Sequence, residues 1–449
     1  MIWVGPGNLA LLTDLYELTM AASYHSQGLN GTATFDLFVR ELPAERNFLV
    51  ACGIEDAIDL VEELTFEPEG IDYLSSLGMF DRGFLDYLAG FRFSGDVWGV
   101  AEGDIVWARE PLVRVTAPLI EAQVLETLLI NQIGFPTMIA SKAARVALAC
   151  QGRSFVDFSL RRDHGADAGL KAARASFVGG ASATSNVLAG YAYGIPISGT
   201  MAHSYVLAFD SEQDAFRSFA MDFPERATLL IDTFDTDEGA RCAAKVATEL
   251  AEQGVVVRGV RIDSGDLAEQ AKSVRAILDG AGLPGIEIFV SGDLDESAVA
   301  AIVAAGAPVD GFGVGTRMGT SSDVPYLSAV YKLVAFEGRP RMKLSAGKVG
   351  WPGKKQVYRR ESDGRWDHDL IALEREEAEG RPLLIKLLEA GRRVRPREPL
   401  DAARSRCARA VGTLPARLRS LDERGDPDIR VSWELEEMGR SLDARRGHP

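Results

Sequence analysis

The 449-residue chain has little of what metal-binding, disulfide-rich and membrane-spanning proteins are built from. Its four cysteines, Cys52, Cys150, Cys242 and Cys407, lie far apart with no C-x-x-C pair, which argues against a zinc knuckle or a disulfide framework. No apolar run approaches the ~18 residues that a membrane-spanning helix needs. The N-terminal residues have neither a basic segment nor a cleavage signal, so we expect a cytoplasmic protein and no membrane association.

An excess of positive charge is also missing. The chain carries 49 lysines and arginines against 65 aspartates and glutamates, a net charge of −16 with histidines neutral. Because nucleic-acid binding depends on neutralising phosphates, we expect no nucleic-acid partner. The hydrophobic fraction of 46% is enough for a folded core. Small anions could still bind, but only at a local site made of cationic side chains or backbone N–H groups.

Short apolar runs alternate with amphipathic stretches through the middle of the chain. The runs cover residues 154–160, 196–204, 227–235, 255–263, 286–290 and 309–315. This alternation predicts βαβ units whose parallel sheet is buried on both faces. Six or seven such units fit an α/β barrel better than a doubly wound sheet, although their spacing alone does not decide. We therefore predict a parallel α/β barrel domain over residues 131–335.

The two flanking parts have other patterns. Residues 1–130 alternate strands and helices in the manner of an α+β domain. Beyond residue 335 the pattern weakens, and residues 336–449 form a C-terminal segment, part of which we expect to join the N-terminal domain. The Arg-rich stretch 392–419 is expected to be a solvated helical face, with an anion-binding patch as the alternative.

Three loops that follow predicted strands have the composition of phosphate-binding loops. They are Ser264-Gly265-Asp266, Ser291-Gly292-Asp293 and Gly313-Val314-Gly315-Thr316. Glycine lets the backbone approach an anion, and the following helix N-terminus offers free N–H groups. None has the spacing of a dinucleotide fingerprint or a Walker A loop. One such loop alone is better explained as a helix N-cap, but three at one end of a sheet favour phosphate binding.

Acids and one histidine fall at the same end of the predicted sheet. The acids are Asp232, Asp235, Asp263, Asp266 and Asp293. Carboxylates beside phosphates are understandable if Mg²⁺ lies between them, with helix N-capping as the alternative for Asp235 and Asp266. His203 follows a predicted strand within a Gly-Thr loop, where a titratable nucleophile is useful.

Eight sequence blocks, in order, closely resemble the nicotinate phosphoribosyltransferase family. The resemblance covers about residues 8–360 and is poor in the Arg-rich C-terminal part. The blocks are LLTDLYELTM (11–20), SLRRDHGADAGLKAARASFVGGASATSNVLAG (159–190), GIPISGTMAHS (194–204), LLIDTFDT (229–236), VRIDSGDL (260–267), VSGDLDES (290–297), GFGVGTRM (311–318) and MKLSAGKV (342–349).

The resemblance implies a fold, a reaction and its partners. The fold would be the barrel of type II phosphoribosyltransferases with an N-terminal α+β domain. The reaction would join nicotinate to phosphoribosyl pyrophosphate (PRPP), giving nicotinate mononucleotide and pyrophosphate in the first step of NAD salvage. ATP hydrolysis would be coupled through a phosphohistidine, Mg²⁺ would be required, and a homodimer would share its active sites.

Roles for individual residues follow from their positions in the matching blocks. Catalytic roles fall to His203, as the phosphorylated histidine, and to Asp263 and Arg261. The nicotinate pocket would be formed by Tyr16, supplied across a dimer interface, with Phe158, Arg161, Thr184, Ser185 and Thr200. The 5′-phosphate would be held by Ser291, Gly292, Asp293, Gly315 and Thr316. The metal would be held by Asp232 and Asp263.

Three alternatives remain beside this interpretation. A nicotinamide-using relative resembles the chain but carries an aspartate at the position aligned with Ser185, where serine instead suits the acid substrate. A phosphate-sugar aldolase or isomerase would need a Schiff-base lysine or a strongly placed general base, and the sequence shows neither. A non-catalytic barrel that binds a phosphate ligand is the third. Asp163, beside Arg161, is a departure from the family pattern that could weaken or order the arginine pair.

Overall fold

The computed structural model describes residues 4–343 and 350–444, which fall into two compact units. One unit spans residues 142–325, and the other combines residues 1–141 with 326–449. The domain boundaries predicted from the sequence lie after residues 130 and 335, whereas the observed ones lie after residues 141 and 325. Most of the MKLSAGKV block, residues 344–349, lies outside the described residues. No helix among the described residues has the length and apolar composition to span a bilayer.

The unit of residues 142–325 is built on a parallel six-stranded sheet. Its strands are Ser154–Asp157, Ala183–Thr184, Thr228–Leu230, Gly259–Ile262, Glu287–Ser291 and Gly311–Val314. The first strand pairs with both the second and the last, so the sheet curls, but it stays open between Ala183–Thr184 and Thr228–Leu230. The predicted parallel α/β architecture is therefore confirmed as an open half-barrel. The strands are buried on both faces, as their continuous apolar runs predicted.

The prediction of a strand over residues 196–204 is wrong. Only Ile197 makes a single parallel bridge, to Thr184, and a helix begins at His203. Pro196 has no N–H to donate to a ladder, and the polar residues 198–200 give the segment no continuous apolar face to bury. This segment occupies the open side of the half-barrel.

Helices follow the strands of this unit. They are Ala166–Val178, Val187–Tyr193, His203–Leu207, Glu212–Asp222, Thr236–Ala251, Leu267–Gly280, Glu296–Ala304 and Thr316–Gly319, with a 3-10 turn at Leu160–Arg162. Asp235 and Asp266 cap two of them by accepting from the N–H groups of Glu238 and Glu269. The N-capping alternative is therefore correct for these two aspartates.

The other unit is organised around mostly antiparallel sheets, in which Arg365–Leu373 and Ile429–Val431 form a parallel pair. A seven-stranded sheet has the order Arg339–Pro340, Ala329–Phe336, Thr32–Val39, Pro111–Pro118, Asp96–Val100, Leu384–Glu389 and Arg392–Arg393. A four-stranded sheet contains Arg381–Pro382, Lys355–Ser362, Arg365–Leu373 and Ile429–Val431, and a ribbon pairs Leu49–Val50 with Ile105–Val106. The helices are Leu15–Ser26, Ile54–Glu63, Pro68–Ser76, Arg82–Ala89, Leu119–Gln123, Glu126–Cys150 (of which residues 142–150 belong to the half-barrel unit), Leu400–Thr413, Ala416–Arg419 and Trp433–Ala444.

Buried polar contacts tie the C-terminal segment to the N-terminal residues of this unit. Asp369 is fully buried and accepts hydrogen bonds from Arg359 and from the indole of Trp107 at 3.0 Å. Arg393 is only 15% exposed and forms ion pairs with Glu55 and neighbouring acids of helix Ile54–Glu63. The expectation of a solvated face is therefore wrong for Arg393, which pairs with acids of the N-terminal part.

Candidate active site

An aspartate lies at or just after the carboxyl end of three strands of the half-barrel. Asp157 is the last residue of its strand, Asp263 directly follows its strand, and Asp232 comes two residues after the end of its strand. Because the strands are parallel, their carboxyl ends meet at one edge, where α/β barrels build their sites. The predicted phosphate loops follow the same edge, so the structure brings most of the predicted residues together.

Asp232 and Asp263 are joined through their polar groups. Asp232 Oδ2 accepts from the backbone N–H of Asp263 at 2.9 Å and from the Ser264 hydroxyl at 2.7 Å. Asp232 Oδ1 is buried and has no hydrogen-bond partner among the described residues. Asp263 Oδ1 accepts from the Ser291 hydroxyl. The pair therefore offers one unsatisfied carboxylate oxygen within a preorganised frame.

Arg261 is the buried cation of this edge. Its side chain is 13% exposed, and its terminal nitrogens lie 2.7 Å from Thr200 Oγ1 and 3.7 Å from Asp263 Oδ1. The guanidinium carbon lies 5.9 Å from the centre of the Phe158 ring. Burial lowers the pKa of Arg261, and the charge of Arg161 lowers it further. The side chain remains a cation because an arginine does not lose its proton in proteins.

His203 lies on the open side of the sheet. Its Nδ1 is 3.2 Å from Thr233 Oγ1, and its Nε2 is 3.9 Å from Asp263 Oδ2. The imidazole is 41% exposed, so a reagent from solvent can reach it. The hydroxyl of Thr233 orients the ring through Nδ1, and Nε2 faces the Asp263 carboxylate beyond hydrogen-bond distance. An exposed imidazole held in this way is suited to act as a nucleophile.

The packing of Phe158 at this edge depends on two glycines. A Cβ on Gly313 would lie 2.6 Å from the Phe158 ring, and one on Gly315 would lie 2.9 Å from the Phe158 carbonyl oxygen. Phe158 also packs against Phe289 at a ring-centroid distance of 6.0 Å. Glycine at positions 313 and 315 therefore lets the strand Gly311–Val314 approach Phe158 directly.

The loop Ser291-Gly292-Asp293 is bent tightly over Asp263. Gly292 has φ +109°, and a Cβ there would lie 2.1 Å from the backbone oxygen of Asp263. Asp293 has φ +51° and pairs with Arg317 at 2.7 Å, which in turn bonds the N-cap residue Asp295 at 2.9 Å. The Asp293 carboxylate is thus neutralised by an arginine, which makes an anion beside it tolerable.

Replacing Gly292 by alanine should strongly reduce both stability and activity. The added methyl would collide with the Asp263 carbonyl, and the backbone would have to leave its left-handed conformation. Thermal unfolding and a steady-state assay should both respond. The matched control is Gly152→Ala, at φ +91° with nothing within 4 Å of the added Cβ, which should cost about 1 kcal/mol of stability. Equal effects of the two substitutions would contradict the close approach.

The predicted pocket residues Thr184 and Ser185 have different environments. Thr184 is buried, and its hydroxyl donates to Asp157 at 2.8 Å while accepting from the N–H of Asn186. Both hydrogen bonds of the Thr184 hydroxyl are therefore made to other residues of the protein. Ser185 is half-buried and is held through its backbone N–H to the carbonyl of Asp157. Its side-chain hydroxyl, unlike that of Thr184, makes no hydrogen bond among the described residues.

Three predicted residues lie at the margin of this cluster or outside it. Arg161 is exposed in the 3-10 turn after Phe158. Thr316 accepts a hydrogen bond from Arg162 at 3.1 Å. Tyr16 belongs to the other compact unit, on helix Leu15–Ser26, and is 45% exposed. Partial burial and the nearby charges of Glu126 and Glu17 raise its pKa.

Sequence reasoning missed Asp157, Ser159 and Thr233. Asp157 is 1% exposed and organises the Phe158 turn through Ser159, while Thr233 orients His203. A signal for Asp157 was present, because Val156-Asp157 repeats the apolar-residue-then-aspartate ending that drew attention to Asp232 and Asp263. The contacts of Ser159 and Thr233 carry no such pattern.

Comparison with known proteins identifies the family of this fold and edge. A family model described as the nicotinate phosphoribosyltransferase (NAPRTase) N-terminal domain matches residues 11–134, and the NAPRTase family model matches residues 153–348. A nicotinate phosphoribosyltransferase of Mycobacterium tuberculosis, pncB2, is 46% identical over 446 residues, covering 98% of this chain and 96% of the relative. The chain belongs to the nicotinate phosphoribosyltransferase family.

More distant members and solved structures agree with this assignment. The nicotinate phosphoribosyltransferase of Bos taurus is 30% identical, with 97% of each chain covered. The crystal structure of human nicotinic acid phosphoribosyltransferase superposes with a TM-score of 0.87 at 28% identity, covering 96% of this chain and 99% of the human one. Nicotinate-nucleotide pyrophosphorylase from Pyrococcus furiosus, with a TM-score of 0.77 at 24% identity, shares the fold.

Proposed function

We propose that this protein joins nicotinate to PRPP, forming nicotinate mononucleotide and releasing pyrophosphate, and so acts in NAD salvage. The observation that carries the proposal is the Arg261–Asp263 pair beside Phe158, at the edge that also holds His203, in a chain of the nicotinate phosphoribosyltransferase family. A buried guanidinium, a carboxylate and an aromatic face are what an anionic pyridine and a charged sugar phosphate need.

The proposed chemistry needs positioning more than proton transfer. The pyridine nitrogen has a free electron pair and attacks the anomeric carbon without first losing a proton. The protein would hold the pyridine ring against Phe158. It would also place the Asp263 carboxylate, which lies 3.7 Å from Arg261, beside the sugar carbon where positive charge develops. Ser291 keeps that carboxylate in place through its hydrogen bond. An edge rich in acids and phosphate loops but poor in general bases suits this reaction.

Mg²⁺ fits the acids of this edge. Asp232 Oδ1 is a buried carboxylate oxygen with no hydrogen-bond partner among the described residues, and Mg²⁺ is commonly held by one or two carboxylates together with substrate phosphates. The described residues contain no cluster of three or more protein ligands for a metal, so the phosphates of PRPP would have to complete the coordination. Asp232 and Asp263 would hold the ion, which would neutralise charge on the departing pyrophosphate.

Selectivity for the acid over the amide is proposed to depend on Ser185. Its half-buried hydroxyl can donate to the nicotinate carboxylate, whereas an aspartate at this position would repel it. With nicotinate and nicotinamide mixed in equal amounts with PRPP, Mg²⁺ and ATP, the product should be the acid mononucleotide. Preferential formation of the amide product would instead support a nicotinamide phosphoribosyltransferase, and ligand binding without any product would support a non-catalytic barrel.

The same assay on Ser185→Asp tests the role of this residue. We expect kcat/KM for nicotinate to fall ~10²–10³-fold, because like charges about 4 Å apart repel by roughly 4 kcal/mol at the effective dielectric of a protein surface. Ser185→Asn is the matched control, since it has the same size without the charge and should lose far less. Equal losses in the two variants would remove the electrostatic explanation.

ATP coupling is proposed to pass through His203. A ring nitrogen would take the γ-phosphoryl group of ATP, releasing ADP, and water would later release inorganic phosphate. The exposure of the imidazole and its contacts to Asp263 and Thr233 support this role. The added negative charge beside Asp263 would then favour pyrophosphate release and link ATP hydrolysis to net synthesis.

We further propose a cytoplasmic homodimer with shared active sites. The exposed Tyr16 of one copy would close the nicotinate pocket of the other. Helix Val187–Tyr193 begins two residues after Ser185 and exposes Val187, Leu188 and Tyr191, with Tyr191 89% exposed. An apolar face beside the pocket supports an interface there. Four free cysteines support a reducing compartment.

A further inference from the structure

The turn that carries Phe158 and Arg161 is held by a hydroxyl placed between two carboxyl groups. Ser159 Oγ lies 2.6 Å from Asp157 Oδ1 and 2.9 Å from Asp163 Oδ2. The Ser159 N–H donates to the same Asp157 oxygen at 3.0 Å, and Thr184 donates to the other at 2.8 Å. One continuous series of hydrogen bonds therefore links Asp163, Ser159, Asp157 and Thr184.

This series of hydrogen bonds lacks one hydrogen if Asp157 and Asp163 are both ionised. A serine hydroxyl has one hydrogen, while a carboxylate can only accept. The Ser159 hydrogen can satisfy Asp157 or Asp163 but not both. The remaining contact would place two oxygen lone pairs about 3 Å apart without a hydrogen, which is repulsive. The two short distances therefore favour one additional proton on one of the two acids.

Asp163 is the acid better suited to carry that proton. Burial raises the pKa of Asp157 as well, but the hydrogen bonds from the Ser159 N–H, the Ser159 hydroxyl and Thr184 oppose that shift and favour its ionised form. Among the described residues, the Asp163 carboxyl has a hydrogen-bond contact only with Ser159, through Oδ2. Asp163 Oδ1 is buried and has no hydrogen-bond partner among the described residues. Burial, together with the charge of Asp157, raises the pKa of Asp163 to about 6. Helix Thr316–Gly319 packs closely against this oxygen, because a Cβ on Gly319 would lie 2.2 Å from Asp163 Oδ1.

The cations around Asp163 do not replace the missing hydrogen. On its own turn, His164 opposes the shift of the pKa, Arg162 bonds Thr316, and Arg161 makes no ion pair with Asp163 among the described residues. From helix Ala166–Val178, Lys171 pairs with Asp167. From helix Thr316–Gly319, Arg317 pairs with Asp293 and Asp295.

We propose that Asp163 is a positioning residue for nicotinate, and that its protonated form completes the hydrogen-bond chain that fixes the Phe158–Arg161 turn against Thr184. This inference rests on the proposed function. Protonated Asp163 donates to Ser159, which donates to Asp157, and the turn then presents Phe158 and Arg161 in one arrangement. Ionised Asp163 breaks the chain and loosens the turn.

The sign of the pH dependence follows from the direction of the shift. The pKa of Asp163 is raised in the folded protein, so the stabilising contact is fully present at low pH and is lost as the pH rises through about 6. Nicotinate binding should weaken over the same range. Turnover of bound substrate should change little, because Asp163 does not touch the reacting atoms.

The test compares wild type with Asp163→Asn, whose amide donates to Ser159 at every pH. KM and kcat for nicotinate are measured from pH 5.5 to 8 on the full chain. The ratio of the wild-type KM to that of the variant should be about 1 at pH 5.5 and threefold or more at pH 7.5, with similar kcat. Asp167→Asn, which removes an exposed charge from the next helix, should match wild type throughout.

Ser159→Ala separates the hydrogen-bond chain from a simple charge effect on Arg161. This variant should raise KM at every pH, and adding Asp163→Asn to it should no longer produce a pH-dependent difference in KM. A constant KM ratio in the first comparison, or a pH step that survives in Ser159→Ala, would overturn the proposal. Absence of nicotinate turnover in wild type at every pH would instead refute the proposed function. A ¹³C NMR titration of the Asp163 carboxyl needs no substrate and should still show protonation near pH 6.

Discussion

Arg261→Gln should lower kcat/KM for nicotinate ~10²–10³-fold while leaving the fold intact. The substitution removes the buried cation that lies beside Asp263, Thr200 and the Phe158 face. Removing one partner of a buried charge pair typically costs 2–5 kcal/mol, about 1.4 kcal/mol for each factor of ten. Arg261→Lys should recover only part of the activity, because an ammonium group cannot bond two partners in the plane of a guanidinium. Steady-state kinetics with nicotinate as the varied substrate measures both effects.

The control for this prediction lies on the same strand segment. Arg258 is exposed at the opposite end, so Arg258→Gln removes an equal charge without touching the site and should keep kcat/KM within about twofold. Circular dichroism and thermal unfolding would check that the Arg261 variants are folded. Wild-type kinetics in a folded Arg261→Gln protein would show that this cation does not bind substrate.

His203→Ala should abolish ATP hydrolysis while keeping a slow basal transfer from PRPP. The exposed imidazole lies between Asp263 and Thr233 and is the nucleophile in the proposed coupling step, whereas the proposed transfer itself needs no phosphorylated residue. The informative quantity is the number of ATP molecules consumed per mononucleotide formed, measured beside the total rate. That ratio should fall to nearly zero in the variant, and radiolabel from γ-labelled ATP should no longer appear on the protein.

Two further variants make the His203 experiment specific. Thr233→Val keeps the imidazole but removes the partner of Nδ1, so it should slow phosphorylation without eliminating it. His164→Ala removes another histidine near the same edge and should leave the ATP-to-product ratio unchanged. Undiminished ATP hydrolysis in His203→Ala would exclude this residue as the phosphorylated group.

The half-barrel and its acidic edge could be predicted from the sequence because both are encoded locally. Continuous apolar runs such as 286–290 and 309–315 specify strands buried on both faces, and the residue after each run lies at the carboxyl edge. Asp232, Asp263 and Arg261 therefore meet as expected. The segment 196–204 misled the prediction, since its glycine and hydroxyl residues follow Ile197 too closely for a strand to continue.

Other features depend on contacts between distant parts of the chain. The strand Ala329–Phe336 pairs with Thr32–Val39 across some 300 residues, and no local pattern specifies that register. Arg393 carries the composition of a solvated stretch, yet it pairs with acids of helix Ile54–Glu63. The role of Ser159 as a bridge between Asp157 and Asp163 could not be predicted from the sequence either, because a single serine forms no recognisable motif.

The most direct test of the central claim is product formation by the purified full chain from nicotinate, PRPP and Mg²⁺, with and without ATP. Chromatography and a pyrophosphate assay should detect nicotinate mononucleotide and pyrophosphate in equal amounts, more rapidly when ATP is present. Their absence under both conditions, from a folded protein that binds PRPP, would contradict the assignment of this edge as a nicotinate phosphoribosyltransferase site.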